Sequence, residues 1–187
     1  MRVLVACEES QRVCISFREL GHEAFSCDLQ ECSGGHPEWH IRDNVLNHLQ
    51  DGWDLMVAHP PCTFLTVAGA WLYTHRDANK RKIDGFLARD FFMELLNANI
   101  EKICVENPVP LKMFNLPNYS QIIHPYMFGD PYTKRTCLWL KGLEPLSPAN
   151  IVVPECSYMQ KAGNAKKRSK TFWGIARAMA AQWGGGC

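Results

Sequence analysis

Short apolar runs that are nearly continuous, rather than alternating with polar residues, constrain this chain most: R-V-L-V-A at 2–6, L-M-V-A at 55–58 and I-C-V at 103–105. A strand that is apolar at successive positions hides both faces, the habit of a parallel sheet covered by helices. The intervening stretches agree. Residues 10–20 place Val13, Cys14, Phe17 and Leu20 at helical spacing, with Gly21 set to end the last turn. Residues 76–97 carry the longest helical pattern, through Ile83, Phe86, Leu87, Phe91, Met93, Leu95 and Leu96, and residues 171–183 form a third helix. Strands are expected at 2–6, 23–27, 53–58, 100–105, 121–128 and 136–140. Residues 29–40 read as a loop, and 41–49 as a short strand followed by a helical turn. Strands alternating with helices make βαβ units, hence a doubly wound α/β fold with a mostly parallel sheet. No repeat, linker or composition shift divides residues 1–187, so a single domain is expected.

A chain that is 47% apolar with a net charge of +1 folds into a globule, and that charge argues neither for nor against a nucleic acid. Basic residues cluster at 161–170 (K-A-G-N-A-K-K-R-S-K), at Lys134-Arg135 and at Lys80-Arg81-Lys82. The ordinary reading of such a run is a solvated face. Nine cysteines without framework spacing predict a reducing, cytoplasmic setting with most thiols packed as small core residues. The first apolar run is broken at once by Glu8 and Glu9, so neither a signal peptide nor a membrane span is expected. Cys27, Cys32, His36 and His40 are metal-capable, but their spacing is far tighter than a zinc finger needs, and no metal is expected.

Parallel sheets bind ligands at the carboxyl ends of their strands. Glu8, Asp28, Asp43, the P-P-C at 60–62 and the E-N-P at 106–108 each end an apolar run. A-H-P-P-C-T-F-L is the most specific of these, because two prolines donate no N–H, stop a strand and hold the next residue, Cys62, in one place. A thiol and a carboxylate from neighbouring strand ends suit one problem in pyrimidine chemistry. C5 of cytosine is a poor nucleophile, but it becomes enamine-like when a thiolate adds to C6 and an acid holds N3. It can then attack an electrophilic methyl group, and loss of the C5 proton expels the thiol. Cys62 would add to C6 and Glu106 would grip N3 and the exocyclic amine. A positive neighbour, Arg135 or His59, is expected to lower the pKa of the thiol.

At these residues the chain resembles the DNA cytosine-C5 methyltransferases, which carry a Pro-Pro-Cys loop after one strand and Glu-Asn-Val after the next. Here H-P-P-C-T-F-L and V-E-N-P stand in that order. The resemblance implies a class I S-adenosylmethionine-dependent methyltransferase (Rossmann-like) fold with a mixed sheet of about seven strands. It implies methyl transfer from S-adenosylmethionine to C5 of cytosine in DNA. Catalytic roles fall to Cys62, Glu106 and Arg135, the last within K-R-T-C-L-W-L. Cofactor contacts fall to Glu8, Asp28, Asp43 and Pro60, with Asp28 on the ribose and Asp43 near the adenine. Substrate contacts fall to Pro61, Asn107, Trp71 and Lys134. Taken whole, the chain looks like a group of short phage and prophage proteins of this type, which share A-C-E-x-S, H-P-P-C, V-E-N-P and C-L-W-L-K-G-L. That likeness implies a phage or prophage origin.

Two departures carry expectations of their own. The family's glycine-rich loop after strand one is A-C-E-E-S-Q here, so Glu8 or Glu9 would face the methionine ammonium, and Glu8 could equally cap the first helix, whose N-terminus favours an anion. The family's large target-recognition region is reduced to residues 141–170, which points to a protein partner for recognition, a relaxed specificity or a smaller substrate such as a free cytosine nucleotide. Outside the enzymes, the alternative is a phage nucleic-acid- or partner-binding protein that kept the fold without the cofactor.

Overall fold

The computed structural model describes residues 1–74, 77–158, 163 and 168–185. Arg76, Cys187 and residues 161, 162 and 164–167 of the basic cluster therefore lie outside the described residues. The chain runs β1 (Arg2–Ala6), α1 (Arg12–Glu19), β2 (Glu23–Cys27), β3 (His40–Ile41), β4 (Leu55–Ala58), α2 (Ala78–Leu96) and β5 (Lys102–Pro108). It continues through β6 (Gln121–Ile123), β7 (Tyr132–Thr133), β8 (Thr136–Lys141), β9 (Cys156–Ser157) and α3 (Trp173–Trp183). Seven strands form one sheet in the order β3-β2-β1-β4-β5-β8-β6. Within it β8 alone runs antiparallel, to both β5 and β6. Strands β7 and β9 pair separately as a small parallel ribbon. The mixed seven-stranded, doubly wound sheet is the one expected. No described helix is long and apolar enough to cross a membrane.

The near-continuous apolar runs are explained by burial on both sides of the sheet. Val3, Val5, Leu55, Val57, Cys104 and Leu138 face the layer that contains α1 and α3, where Phe17, Ile175, Met179 and Trp183 pack. Their neighbours Leu4, Ala6, Met56, Ala58, Ile103 and Val105 face α2, against Phe92, Leu95 and Trp139. Each such side chain contributes about 1.5–3 kcal/mol by leaving water. One expected strand is shorter than its apolar pattern suggests. Only Gln121–Ile123 pairs with β8, and Pro125–Phe128 turns into a 3-10 helix, because Pro125 has no N–H to continue the ladder. Gly21, at φ +81°, follows α1 in the left-handed conformation that its position was expected to require.

Register matters more than element lengths for the site. Ala6 pairs with Cys27 on one side and Ala58 on the other, and Ala58 pairs with Val105. The next residues of these four strands, Cys7, Asp28, His59 and Glu106, therefore form one row along the carboxyl edge. The antiparallel strand β8 starts opposite Pro108, so the link 134–135 arrives at the same edge.

Candidate active site

After Ala58 the chain leaves the sheet through His59, Pro60 and Pro61, and several straps fix the loop beyond them. His59 still donates its N–H to the Ala6 carbonyl at 2.9 Å. Asn107, buried at the end of β5, donates from Nδ2 to the Pro60 carbonyl at 3.0 Å. Leu65 donates to the Cys62 carbonyl at 3.2 Å, Leu111 donates to that of Leu65 at 2.7 Å, and Arg81 reaches the Thr63 carbonyl at 2.7 Å. Tyr73 donates its hydroxyl hydrogen to the Phe64 carbonyl. Cys62 is thus presented, half-buried, by a loop tied to three separate elements.

His59 and Glu106, adjacent in the edge row, are paired: Nδ1 of His59 lies 3.0 Å from Oε2 of Glu106, with the side chains 8% and 12% exposed. Burial alone would lift the Glu106 carboxyl, but the hydrogen bond from His59 and the charges of Lys134 and His59 outweigh it and hold the pKa below its ordinary value. Burial likewise works against a charged His59. Its bond to Glu106 and the charges of Glu106 and Glu8 prevail over that burial and over the opposing charge of Lys134, so its pKa is raised. The two groups favour the ion pair. The Cys62 thiol is pushed up by burial and then by the Glu106 charge, while Lys134, a backbone N–H and Arg168 pull the other way. The expectation of a lowered thiol pKa is therefore overturned: His59 is engaged by Glu106, and ionised Glu106 repels a thiolate.

Lys134 is a cation at this edge. Its charge acts on His59, Cys62 and Glu106, and its Nζ donates to the Arg168 carbonyl at 3.0 Å. Arg135, given a catalytic role by the sequence, is exposed and acts instead on His124 and Cys137, on the β6 side. Neighbouring residues of an extended chain point in opposite directions, and here the turn of the chain gives the site to Lys134.

Glu8 takes the helix-capping role that the sequence offered it. It is 4% exposed, and its carboxylate accepts from Val13 N–H at 2.8 Å, Cys14 N–H at 3.2 Å and the Ser10 hydroxyl at 3.3 Å. It caps α1. Pro60 is buried beneath the loop, with its carbonyl taken by Asn107. Asn107 itself braces that loop from the core through Nδ2. Trp71 lies past the Cys62 loop and is 60% exposed.

Beside the row lies a cleft of about 800 Å³ lined by Cys7, Cys27, Asp28, Asp43, Pro61 and Phe64 on the sheet side and by Leu87 and Phe91 of α2. Its size is within the range of small-molecule sites. Asp28 spans an Asx turn, Oδ1 accepting from Gln30 N–H at 2.8 Å, and Asp43 anchors the turn at 44–48 through Asn44, Asn47 and His48. Apolar walls with two acids at one end fit a nucleoside: a flat base against Phe64, Leu87 or Phe91, and acids for hydroxyls or an amine. Cys7 stands at φ +59° where β1 leaves the sheet, a backbone state that glycine adopts freely. Burial and the charge of Asp28 push its thiol up to about 12. Among the described residues no group of three or more His, Cys, Asp or Glu is placed to hold a metal.

Solved structures share this architecture. A candidate DNA modification methyltransferase encoded within an E. coli prophage superposes with a TM-score of 0.51 at 12% identity, over 82% of this chain and 52% of its own. The fold is that of the class I S-adenosylmethionine-dependent methyltransferases. The methyltransferase EhMeth of Entamoeba histolytica matches with a TM-score of 0.50 at 14% identity, over 83% of this chain and 56% of its own. The chain thus spans a little over half the length of these structures. No family model and no curated protein matches the sequence.

Two features escaped sequence reasoning. The His59–Glu106 pair had a signal, an ionisable residue ending a buried run just ahead of the prolines. The Asn107 strap had none, since nothing local says which backbone carbonyl an amide will reach.

Proposed function

We propose that the protein is a DNA cytosine-C5 methyltransferase in which Cys62 is the nucleophile and Glu106 the acid. The observation that carries this reading is the edge row: a braced thiol loop, a buried carboxylate and a nucleoside-sized cleft meet at the carboxyl ends of β1, β2, β4 and β5. Asp28 would hold the ribose hydroxyls of S-adenosylmethionine, Asp43 its adenine amine, and Phe64, Leu87 and Phe91 the apolar faces of the base. S-adenosylmethionine supplies the electrophilic methyl group.

The protein's own part begins with the cytosine. Glu106 receives N3 and the exocyclic amine, and transfer of a proton from its carboxyl to N3 draws electrons out of the C5–C6 bond. Sγ of Cys62 bonds to C6 in the same event. The thiol is disfavoured as an anion while Glu106 is ionised, and a cytosine that engages Glu106 weakens that repulsion, so the nucleophile is released by its own substrate. Lys134 supplies the positive charge that Arg135 does not. Exposed Trp71 offers a flat apolar surface to a neighbouring base.

A second reading, C5 modification of a free cytosine nucleotide, is favoured by the shortness of residues 142–172 between β8 and α3, which limits surface for reading a duplex. Transfer of a labelled methyl group from S-adenosylmethionine to duplex DNA and to dCTP, with Cys62→Ala as control, separates the readings. Label on C5 of DNA cytosine is expected. Label on the nucleotide alone supports the second reading, and label on neither overturns both.

A further inference from the structure

His59 is an ionisable side chain at the heart of the site for which the cytosine chemistry assigns no task, and it is held between two carboxylates. It ends β4 and is 8% exposed at the side chain. Nδ1 bonds to Glu106, 3.0 Å away on β5, and Nε2 is buried without a partner among the described residues. The groups facing it from every packed element are Glu106 from β5, Glu8 from the turn after β1 and Lys134 from the link before β8. Two acids and one base surround it. A merely structural histidine would pair both nitrogens, as His40 does with the Ser26 hydroxyl and the Gln30 carbonyl.

We propose that His59 is the proton-holding and positioning partner of Glu106, storing the proton that Glu106 passes to N3 of the cytosine and taking it back when the adduct collapses. This rests on the cytosine-C5 reading. Glu106 alone has two conflicting duties. It must be an anion to sit buried beside an imidazolium, and it must give up a proton when the thiol adds. The pair resolves the conflict by moving one proton between two atoms that are already hydrogen-bonded.

The step balances. The Cys62 thiol gives its proton to solvent as Sγ bonds to C6, the C5–C6 π pair shifts toward C5 and N3, and N3 takes a proton from Oε1 of Glu106. Glu106 regains a proton at Oε2 from Nδ1 of His59, which is left neutral with its hydrogen on Nε2. C5 uses that pair to take the methyl group, or a deuteron in the exchange reaction below, and then loses its own proton to solvent; the C5–C6 double bond re-forms and the thiolate leaves, to be reprotonated from solvent. N3 then returns its proton to Glu106 and His59. No oxidant, reductant or further reactant is needed. His59 acts only through Glu106 and touches neither substrate nor donor.

Two measurements test this. Imidazole nitrogen shifts of assigned, ¹⁵N-labelled protein are followed with pH in the wild type and in Glu106→Gln. His59 is expected to lose its second proton above the ordinary imidazole value of 6.5 in the wild type and at lower pH in Glu106→Gln. A His59 that is neutral throughout, or indifferent to the substitution, overturns the proposal without any variant of His59 having to fold.

The second is exchange of the cytosine C5 hydrogen for deuterium in an oligonucleotide without any methyl donor, which needs only thiol addition and the N3 proton. His59→Asn keeps a donor near Nδ1 but stores no proton. It is expected to slow exchange about a hundredfold, the lower end of a general acid's effect, and to remove the alkaline limb of the pH profile. A His59→Asn rate and profile equal to the wild type overturn the proposal alone. A wild type that exchanges nothing overturns it together with the cytosine-C5 reading, and so distinguishes the two failures.

Discussion

Replacing Glu8 with alanine removes the carboxylate that caps α1 and leaves the N–H groups of Val13 and Cys14 and the Ser10 hydroxyl without their acceptor in a buried place. A lost helix cap costs about 1 kcal/mol. That figure covers the two backbone N–H groups, and the Ser10 hydroxyl left unpaired adds about 1–3 kcal/mol. Part of this is returned, because burial raises the Glu8 pKa and so its charged form is held at some expense. The net loss is about 2–4 kcal/mol. For a chain of this length each kcal/mol lowers Tm by about 2–4 °C, so a drop of about 5–15 °C is expected by calorimetry. Glu8→Gln, which keeps one acceptor, is expected to lose about half as much. S-adenosylmethionine affinity, measured below Tm, is expected to change little in either variant. A Tm within about 1 °C of the wild type, with cofactor affinity lost, would refute the capping argument and return Glu8 to the cofactor.

Lys134→Gln is expected to raise the pH at which the Cys62 peptide is alkylated, while Arg135→Gln leaves it unchanged; alkylation-rate profiles read by mass spectrometry check both. Asn107→Ala frees the Pro60 carbonyl and is expected to cost about 1–3 kcal/mol by urea unfolding and to slow reaction at Cys62. The His59–Glu106 pair gives a pH signature. Glu106 has a depressed folded pKa, so its contribution is present above the ordinary carboxyl value of 4.5 and is lost as pH falls through the folded value. His59 has a raised folded pKa, so its contribution is complete below the ordinary 6.5 and is lost as pH rises through the folded value. Urea midpoints are expected to peak between these two values, and Glu106→Gln is expected to flatten the peak. Cys7→Gly relieves a left-handed residue worth about 1–2 kcal/mol, against about 0.4–1 kcal/mol of added unfolded-chain entropy. A Tm equal to or slightly above that of the wild type is expected.

The fold was legible because β1, β4 and β5 are apolar at successive positions, and only a sheet covered on both faces uses such runs. That Cys62 and Glu106 come to one edge of the sheet was legible for a related reason. In a parallel sheet the residue that ends an apolar run lies at the binding edge, whatever else is unknown. The features that stayed hidden depend on which atom a side chain reaches. Glu8 had two readings, a cap of α1 and a cofactor contact, and only its oxygens, turned back to N–H groups of α1 five and six residues on, favour the cap. Lys134 and Arg135 are neighbours of like charge, and the direction of an irregular link decides between them. The stretch 121–128 keeps its apolar pattern past Pro125, where the ladder has already stopped.

The central claim is that Cys62 attacks cytosine while Glu106 holds N3. Protein, S-adenosylmethionine and an oligonucleotide carrying 5-fluorocytosine, with Cys62→Ala as the control, are denatured and weighed as intact complexes. Fluorine at C5 cannot leave as a proton does, so a covalent complex that includes the transferred methyl group is predicted for the wild type and not for Cys62→Ala. A wild type that methylates DNA without trapping, or an adduct that survives in Cys62→Ala, would contradict the account.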